Sequence, residues 1–306
     1  MVVARDEKMV ERLAFWGIPV SIGVIALKLL AWWVTGSVAL LSDGLESLVN
    51  VAAAMIAYFV IRYAQRPADH DHQFGHHKAE YISAVLEGML IVAAAMLIIN
   101  EAWQGLVSPK LPEVPVLGLG INAVATAVNF VWARKLIKEG GRHRSPAMQA
   151  DGQHIMSDVV TSAGVFVGLI LAIWTGNPIL DPVLAILVAG NIIWQGYKVI
   201  SHSLGGLMDR ALEPDEEAAV REAIAAHSGG ALGVHDLKSR RAGAVAFIDF
   251  HLVVPAAMSV EEAHGICDRL EDAIKEIIPG ATLAIHVEPE SENPHGQKVD
   301  VEGTGK

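Results

Sequence analysis

Two pairs of residues in this sequence combine a spacing and a setting that ordinary packing does not require. His154 and Asp158 lie four apart at the mouth of one apolar run, and Glu46 and Asn50 have the same spacing inside another. Residues four apart share a helix face, so each pair can present two donors to one ligand. Cross-helix hydrogen bonding accounts for a lone Asn in such a run. It is a costly explanation for Glu46, His154 and Asp158 together, because ionisable groups inside apolar spans are expensive and mark ion pathways. Four N and O donors on two helices match the ligand count of zinc, and with no sulfur among them they suit a borderline or hard divalent cation. Asp43 falls on the same side of the helix as Glu46 and Asn50, nearer its outer end, where it reads as a gateway carboxylate or a solvated helix terminus. Glu87 and Lys28 also sit in apolar runs, with pairing or snorkelling as their default roles.

Two further clusters have metal-ligand chemistry. Asp69, His70, Asp71, His72, His76 and His77 crowd into ten residues between two apolar runs, a density of imidazole and carboxylate that reads as metal binding. His235, His251, His264, His286 and Glu288 are spread over the C-terminal third. Any one of these histidines alone is an ordinary surface residue. On neighbouring strands and a helix, with Glu288 two positions after His286 on one strand face, they read as a cluster.

The elements that must position these groups follow from composition. Of 306 residues, 52% are hydrophobic and 19% charged, and the mean hydropathy is +0.39, too apolar for an ordinary soluble enzyme. Six apolar segments, over 13–34, 38–61, 82–103, 116–133, 155–174 and 183–200, each come near the roughly 20 residues that cross a bilayer core as helix. Arg5, Lys8 and Arg12 precede the first, Arg62, Arg66 and Lys78 follow the second, and Arg134, Lys135, Lys138, Arg142 and Arg144 follow the fourth. The positive-inside rule then places both termini in the cytoplasm. Residues 1–12 are polar and show no removable signal peptide.

After Asp209 the sequence turns acidic, and most of the net charge of −11 lies there. Amphipathic and alternating stretches follow in the order αββαβ, a small α+β domain with one helical layer on one sheet face. The expected fold is therefore an α-helical polytopic membrane protein with six transmembrane helices (13–208) and a small cytoplasmic α+β domain (209–290). Residues 291–306 have the composition of a disordered tail. The only cysteine, Cys267, excludes an internal disulfide and a cysteine-rich metal site. Nothing suggests a nucleic-acid partner, and no HExxH pair supports an intramembrane metallohydrolase, so no catalytic set or organic cofactor is expected.

The stretches Gly36-Ser-Val-Ala-Leu-Leu-Ser-Asp-Gly-Leu-Glu-Ser-Leu, Phe74-Gly-His-His-Lys-Ala-Glu80, His154-x3-Asp158 and Leu207-Met-Asp209, with the αββαβ tail, resemble the cation diffusion facilitators over essentially 12–289. That resemblance implies a homodimer in the inner membrane that exports divalent metal ions in exchange for protons. It assigns the transport site to Glu46, Asn50, His154 and Asp158, a loop site to Asp69, His72 and His76, and a cytoplasmic cluster to His235, His251, His264, His286 and Glu288 that steadies the paired tails. It also implies a charge pair between Lys78 and Asp209. Glu46 and Asn50 depart from the family's usual His or Asp and Asp, and Glu288 stands where Asp is frequent. His154 puts zinc first, ahead of Fe²⁺, Co²⁺, Cd²⁺ and Mn²⁺. Metal loading must displace the proton of an imidazole, whose ordinary pKa is about 6.5, and this is how a proton gradient would drive export. A passive divalent-metal channel or carrier would use the same ligands, and a tail acting only as a metal sensor is a third reading.

Overall fold

The computed structural model describes residues 6–35, 38–108, 116–177 and 179–292, with the side chains of 35, 38–46, 49, 116–119, 165, 168–170, 172, 173 and 181 outside that description. Of the tail inferred over 291–306, residues 293–306 lie outside the described residues, and 291–292 belong to a 3-10 turn. The chain divides into two compact units between Leu204 and Gly205.

The first unit consists of six long helices: α1 (Glu7–Thr35), α2 (Val38–Ala64), α3 (Ala79–Val107), α4 (Val116–Arg142), α5 (Pro146–Thr175) and α6 (Leu180–Leu207). Each has 27 to 30 residues, about 40 Å at 1.5 Å per residue. Among the described residues, Glu7–Val34, Ala79–Val107 and Pro182–Leu207 are long and apolar enough to cross a membrane. Large apolar side chains cover the outside of the unit, with Trp33, Leu97 and Val131 each about two-thirds exposed or more. Helices apolar on every face belong in lipid rather than water.

Inside the unit, α1 packs on α2 and α4, α4 on α5, and α5 on α2 and α3. Val10, Leu13 and Ala14 of α1 meet Ile61 of α2, Leu136 of α4 and Met148 and Ile155 of α5 in one apolar cluster. Lipid tails give little hydrophobic drive for helix association, so close backbone approach matters more. Gly88 of α3 and Gly196 of α6 supply it: a Cβ on either would lie within 3.3 Å of the other's carbonyl oxygen. Gly152 does the same between α5 and α4, where a Cβ would stand 2.9 Å from the backbone nitrogen of Ile137.

The second unit carries α7 (Pro214–His227), β1 (Gly233–Ala242), β2 (Val245–Val254), α8 (Val260–Ile277) and β3 (Thr282–Pro289), then a 3-10 turn at Glu290–Glu292. This is the αββαβ order read from the sequence. The sheet order is β1-β2-β3, β1 and β2 antiparallel and β2 and β3 parallel. A parallel pair needs a crossover, and α8 provides it. On β2, Ala246, Ile248, Phe250, Leu252 and Val254 face a core shared with Val220 and Ile224 of α7 and Ile266, Leu270 and Ile274 of α8. The intervening residues, His251 among them, take the opposite sheet face.

Candidate metal sites

α2 and α5 bring Asn50, His154 and Asp158 together. The Nε2 of His154 is 2.8 Å from the Oδ1 of Asn50, and the Nδ2 of Asn50 donates to an oxygen of Asp158 at 2.5 Å. An amide oxygen only accepts, so in this arrangement Nε2 carries the imidazole proton. Asn50 and His154 are both buried, and among the described residues the Nδ1 of His154 has no hydrogen-bond partner. A buried imidazole and amide and a half-buried carboxylate, converging from two helices, offer one N and two O donors. Glu46 stands one turn before Asn50 on α2. The side chains of Glu46 and Asp43 lie outside the described residues. Gly152 lets α5 approach α4 at backbone distance two residues before His154.

A second buried polar group, which pattern reading does not assemble, lies on α3 and α5. Among the described residues, both carboxylate oxygens of Glu87, the hydroxyl of Ser83 and Oδ1 of Asp151 are buried without hydrogen-bond partners. Buried polar atoms are normally satisfied, so ordered water or a passing ion is the physical expectation. The spacing that could have drawn attention to Asp151 is its place three residues before His154, on a shared helix face. Lys28 is also buried, on α1. One turn before Ser83, Glu80 accepts a hydrogen bond from the hydroxyl of Ser145.

The loop between α2 and α3 gathers Asp69, His72 and His76, whose ligand atoms lie within 4.8 Å of one another. Oδ1 of Asp69 accepts the backbone N–H of Asp71 at 3.1 Å and of His72 at 2.7 Å, which fixes the carboxylate in a tight turn. The N–H of His72 is the main reason the Asp69 carboxyl sits below the ordinary carboxylate range. Nε2 of His76 is 3.2 Å from the other oxygen, and His76 is buried against Tyr63 with ring centroids 4.7 Å apart. Gly75 adopts a φ of 82°, open to glycine at little cost, and turns the chain back so that His76 faces Asp69. His70 points away, 99% exposed.

In the second unit, the register aligns His235, His251 and His286 in one row across the three strands. His235, His251 and Glu288 form a group with ligand atoms within 4.8 Å. Nε2 of His235 is 3.0 Å from one oxygen of Glu288, and Nδ1 of His251 is 2.8 Å from the other. His286 stands at the edge of this group, its Nε2 3.7 Å from Glu288. His264 does not join it within one chain. It lies on α8, in the layer behind the sheet, 74% exposed and 3.6 Å from Asp268. A bulge in β1 between His235 and Lys238 instead brings in Asp236, at a φ of 53° and 3.7 Å from His251. A hydrogen bond from Lys238 is the main cause holding the Asp236 carboxyl below its usual range. Bulges re-aim side chains in this way, and nothing in the alternation of the strand announces one. Asp209, the residue expected to pair with Lys78, accepts a hydrogen bond from Arg240 at 3.2 Å.

These three groups sit inside two sequence blocks. Residues 14–208 match the family model described as the cation efflux transmembrane domain, and residues 212–290 match the cytoplasmic domain of cation efflux proteins. The chain belongs to the cation diffusion facilitator family. It is similar to uncharacterized transporter sll1263 of Synechocystis sp., with 40% identity over 90% of this chain and 89% of that one. Similarity extends to the cation-efflux pump FieF of Pectobacterium carotovorum, with 34% identity over 91% of this chain and 92% of the relative. The FieF protein of Serratia proteamaculans is 33% identical over 90% of this chain and 91% of its own. This facilitator is therefore a membrane-embedded cation efflux transporter with a C-terminal domain built on a small sheet. In that setting, Asn50, His154 and Asp158 lie in the matched transmembrane domain, and the sheet cluster lies in the matched cytoplasmic domain that follows it.

Proposed function

We propose that this facilitator exports a divalent transition metal, zinc first, in exchange for protons and by alternating access. The observation that carries the reading is the convergence of His154, Asn50 and Asp158, the first two buried and the third half-buried. Imidazole with oxygen donors and no sulfur suits zinc, with Fe²⁺, Co²⁺, Cd²⁺ and Mn²⁺ behind it. For Nε2 of His154 to face an ion, the proton now directed at Asn50 must leave that atom. Metal and proton thus compete for one donor, and Asp158 is the carboxylate that can neutralise either. The buried polar atoms of Ser83, Glu87 and Asp151 supply a hydrated route beside the triad.

The transport work belongs to residues 13–208 of an inner-membrane protein with both termini cytoplasmic, and residues 209–290 pair two protomers into a homodimer. The group of His235, His251 and Glu288, with His286 at its edge, binds metal and steadies that pair. Asp69, His72 and His76 form a loading site in the loop. Glu46 completes the transport site as its fourth ligand.

The test is Zn²⁺ movement into proteoliposomes under an imposed pH gradient. Accumulation against the Zn²⁺ gradient, collapsing when a protonophore removes the pH gradient, is the expected result. Zn²⁺ that only runs downhill, at a rate indifferent to the pH gradient, would identify a passive carrier and overturn the exchange mechanism.

A further inference from the structure

A cavity of about 480 Å³ opens between α1 and α4, lined by none of the three metal groups. Its wall carries Arg12 and Trp16 from α1 and Trp132, Lys135, Glu139 and Arg142 from α4. Three cations therefore line it with one carboxylate. That carboxylate is already shared, with Glu139 Oε2 3.8 Å from Arg142 and 3.7 Å from His143. The Nζ of Lys135 lies 5.4 Å above the Trp132 ring. The wall thus carries an excess of positive charge over an indole face, in a space the size of a small-ligand pocket.

We infer that this cavity binds the headgroup of an anionic phospholipid. The charges select a phosphate, and the surroundings select a lipid over a free phosphate compound. The cavity lies where the apolar run of α1 begins, and Phe15 and Trp16 are each about half exposed there, on a surface that faces acyl chains. Tryptophan and arginine together at the end of a membrane helix mark the headgroup level. Basic pockets between transmembrane helices recognise anionic headgroups. The chain's own first five residues are a poor occupant, since Arg5 brings a charge of the same sign. A lipid held there would brace α1 against α4 beside the cluster of Val10, Leu13, Leu136 and Met148.

The test is native mass spectrometry of the full chain released from micelles containing phosphatidylglycerol or phosphatidylcholine, supported by thermal melting in each. The expected result is retention of phosphatidylglycerol in preference to phosphatidylcholine, with a higher melting temperature in phosphatidylglycerol. Changing Arg12, Lys135 and Arg142 together to Gln should lower phosphatidylglycerol retention by about fivefold or more and leave phosphatidylcholine retention unchanged. Lys135→Gln alone, at an exposed position, should move retention in the same direction if the triple variant does not fold. Equal retention of the two lipids, or phosphatidylglycerol retention unchanged in these variants, would overturn the inference. Release of the lipid by millimolar inorganic phosphate would replace it with a site for soluble phosphate compounds.

Discussion

On the proposed mechanism, metal choice turns on Asn50. It hydrogen-bonds both His154 and Asp158, so it holds the two α5 ligands in register while contributing a neutral oxygen. Replacing it with Asp keeps the shape and adds a negative charge, which favours harder, more oxygen-loving ions relative to zinc. Asn50→Asp is expected to raise the Mn²⁺ to Zn²⁺ ratio of initial transport rates by about tenfold, the equivalent of ~1.4 kcal/mol. An unchanged ratio with rates intact would show that Asn50 positions its neighbours without selecting the ion. At this scale the shared face of His154 and Asp158 on α5 was legible from their i, i+4 spacing, and both meet Asn50 in the structure. The sequence was less legible for Asp151 and Ser83. The significance of their buried oxygens lies in having no partner, and a missing partner is a property of packing rather than spacing.

At the scale of elements, two local devices stand out, one in each unit. Gly152 brings α5 onto α4, and a side chain there would collide with the backbone nitrogen of Ile137. Overpacking of this kind costs about 1–3 kcal/mol. Gly152→Val should therefore displace His154 and lower Zn²⁺ transport by about tenfold, with Gly152→Ala between it and the parent chain. Equal transport by all three would show that the approach of α5 to α4 does not seat the site. In the second unit, α8 begins with a capping box. The hydroxyl of Ser259 accepts the N–H of Glu262 at 3.2 Å, and the N–H of Ser259 donates to the Glu262 carboxylate at 2.9 Å. That backbone N–H is the main cause that holds the Glu262 carboxyl below the ordinary range. A carboxyl lowered on folding stabilises above its unfolded pKa and loses that contribution as the pH falls through its folded value. Glu262→Gln should therefore speed amide exchange in the first turn of α8 at neutral pH, and the difference from the parent chain should vanish in acid. A difference that persists unchanged below the carboxylate range would contradict the charged cap. The helices and strands themselves were legible from periodicity, and the order αββαβ with them. The bulge at Asp236 and the placement of His264 behind the sheet were not, because both depend on how strands pair and which layer a helix covers.

Over the whole molecule, the two units divide the chemistry between them. In the helical unit Asn50 and His154 are buried while Asp69 and His72 of the loop group are exposed, and in the sheet unit His235, His251 and Glu288 are half-buried. On the proposed mechanism the ion passes through the triad of Asn50, His154 and Asp158. The measurement that tests this most directly is the initial rate of Zn²⁺ transport by Asp158→Asn in proteoliposomes, beside parent protein of matched melting temperature. The amide keeps the size of the carboxylate and removes its charge. The predicted rate is indistinguishable from that of protein-free vesicles. A rate close to that of the parent chain would contradict passage through the triad.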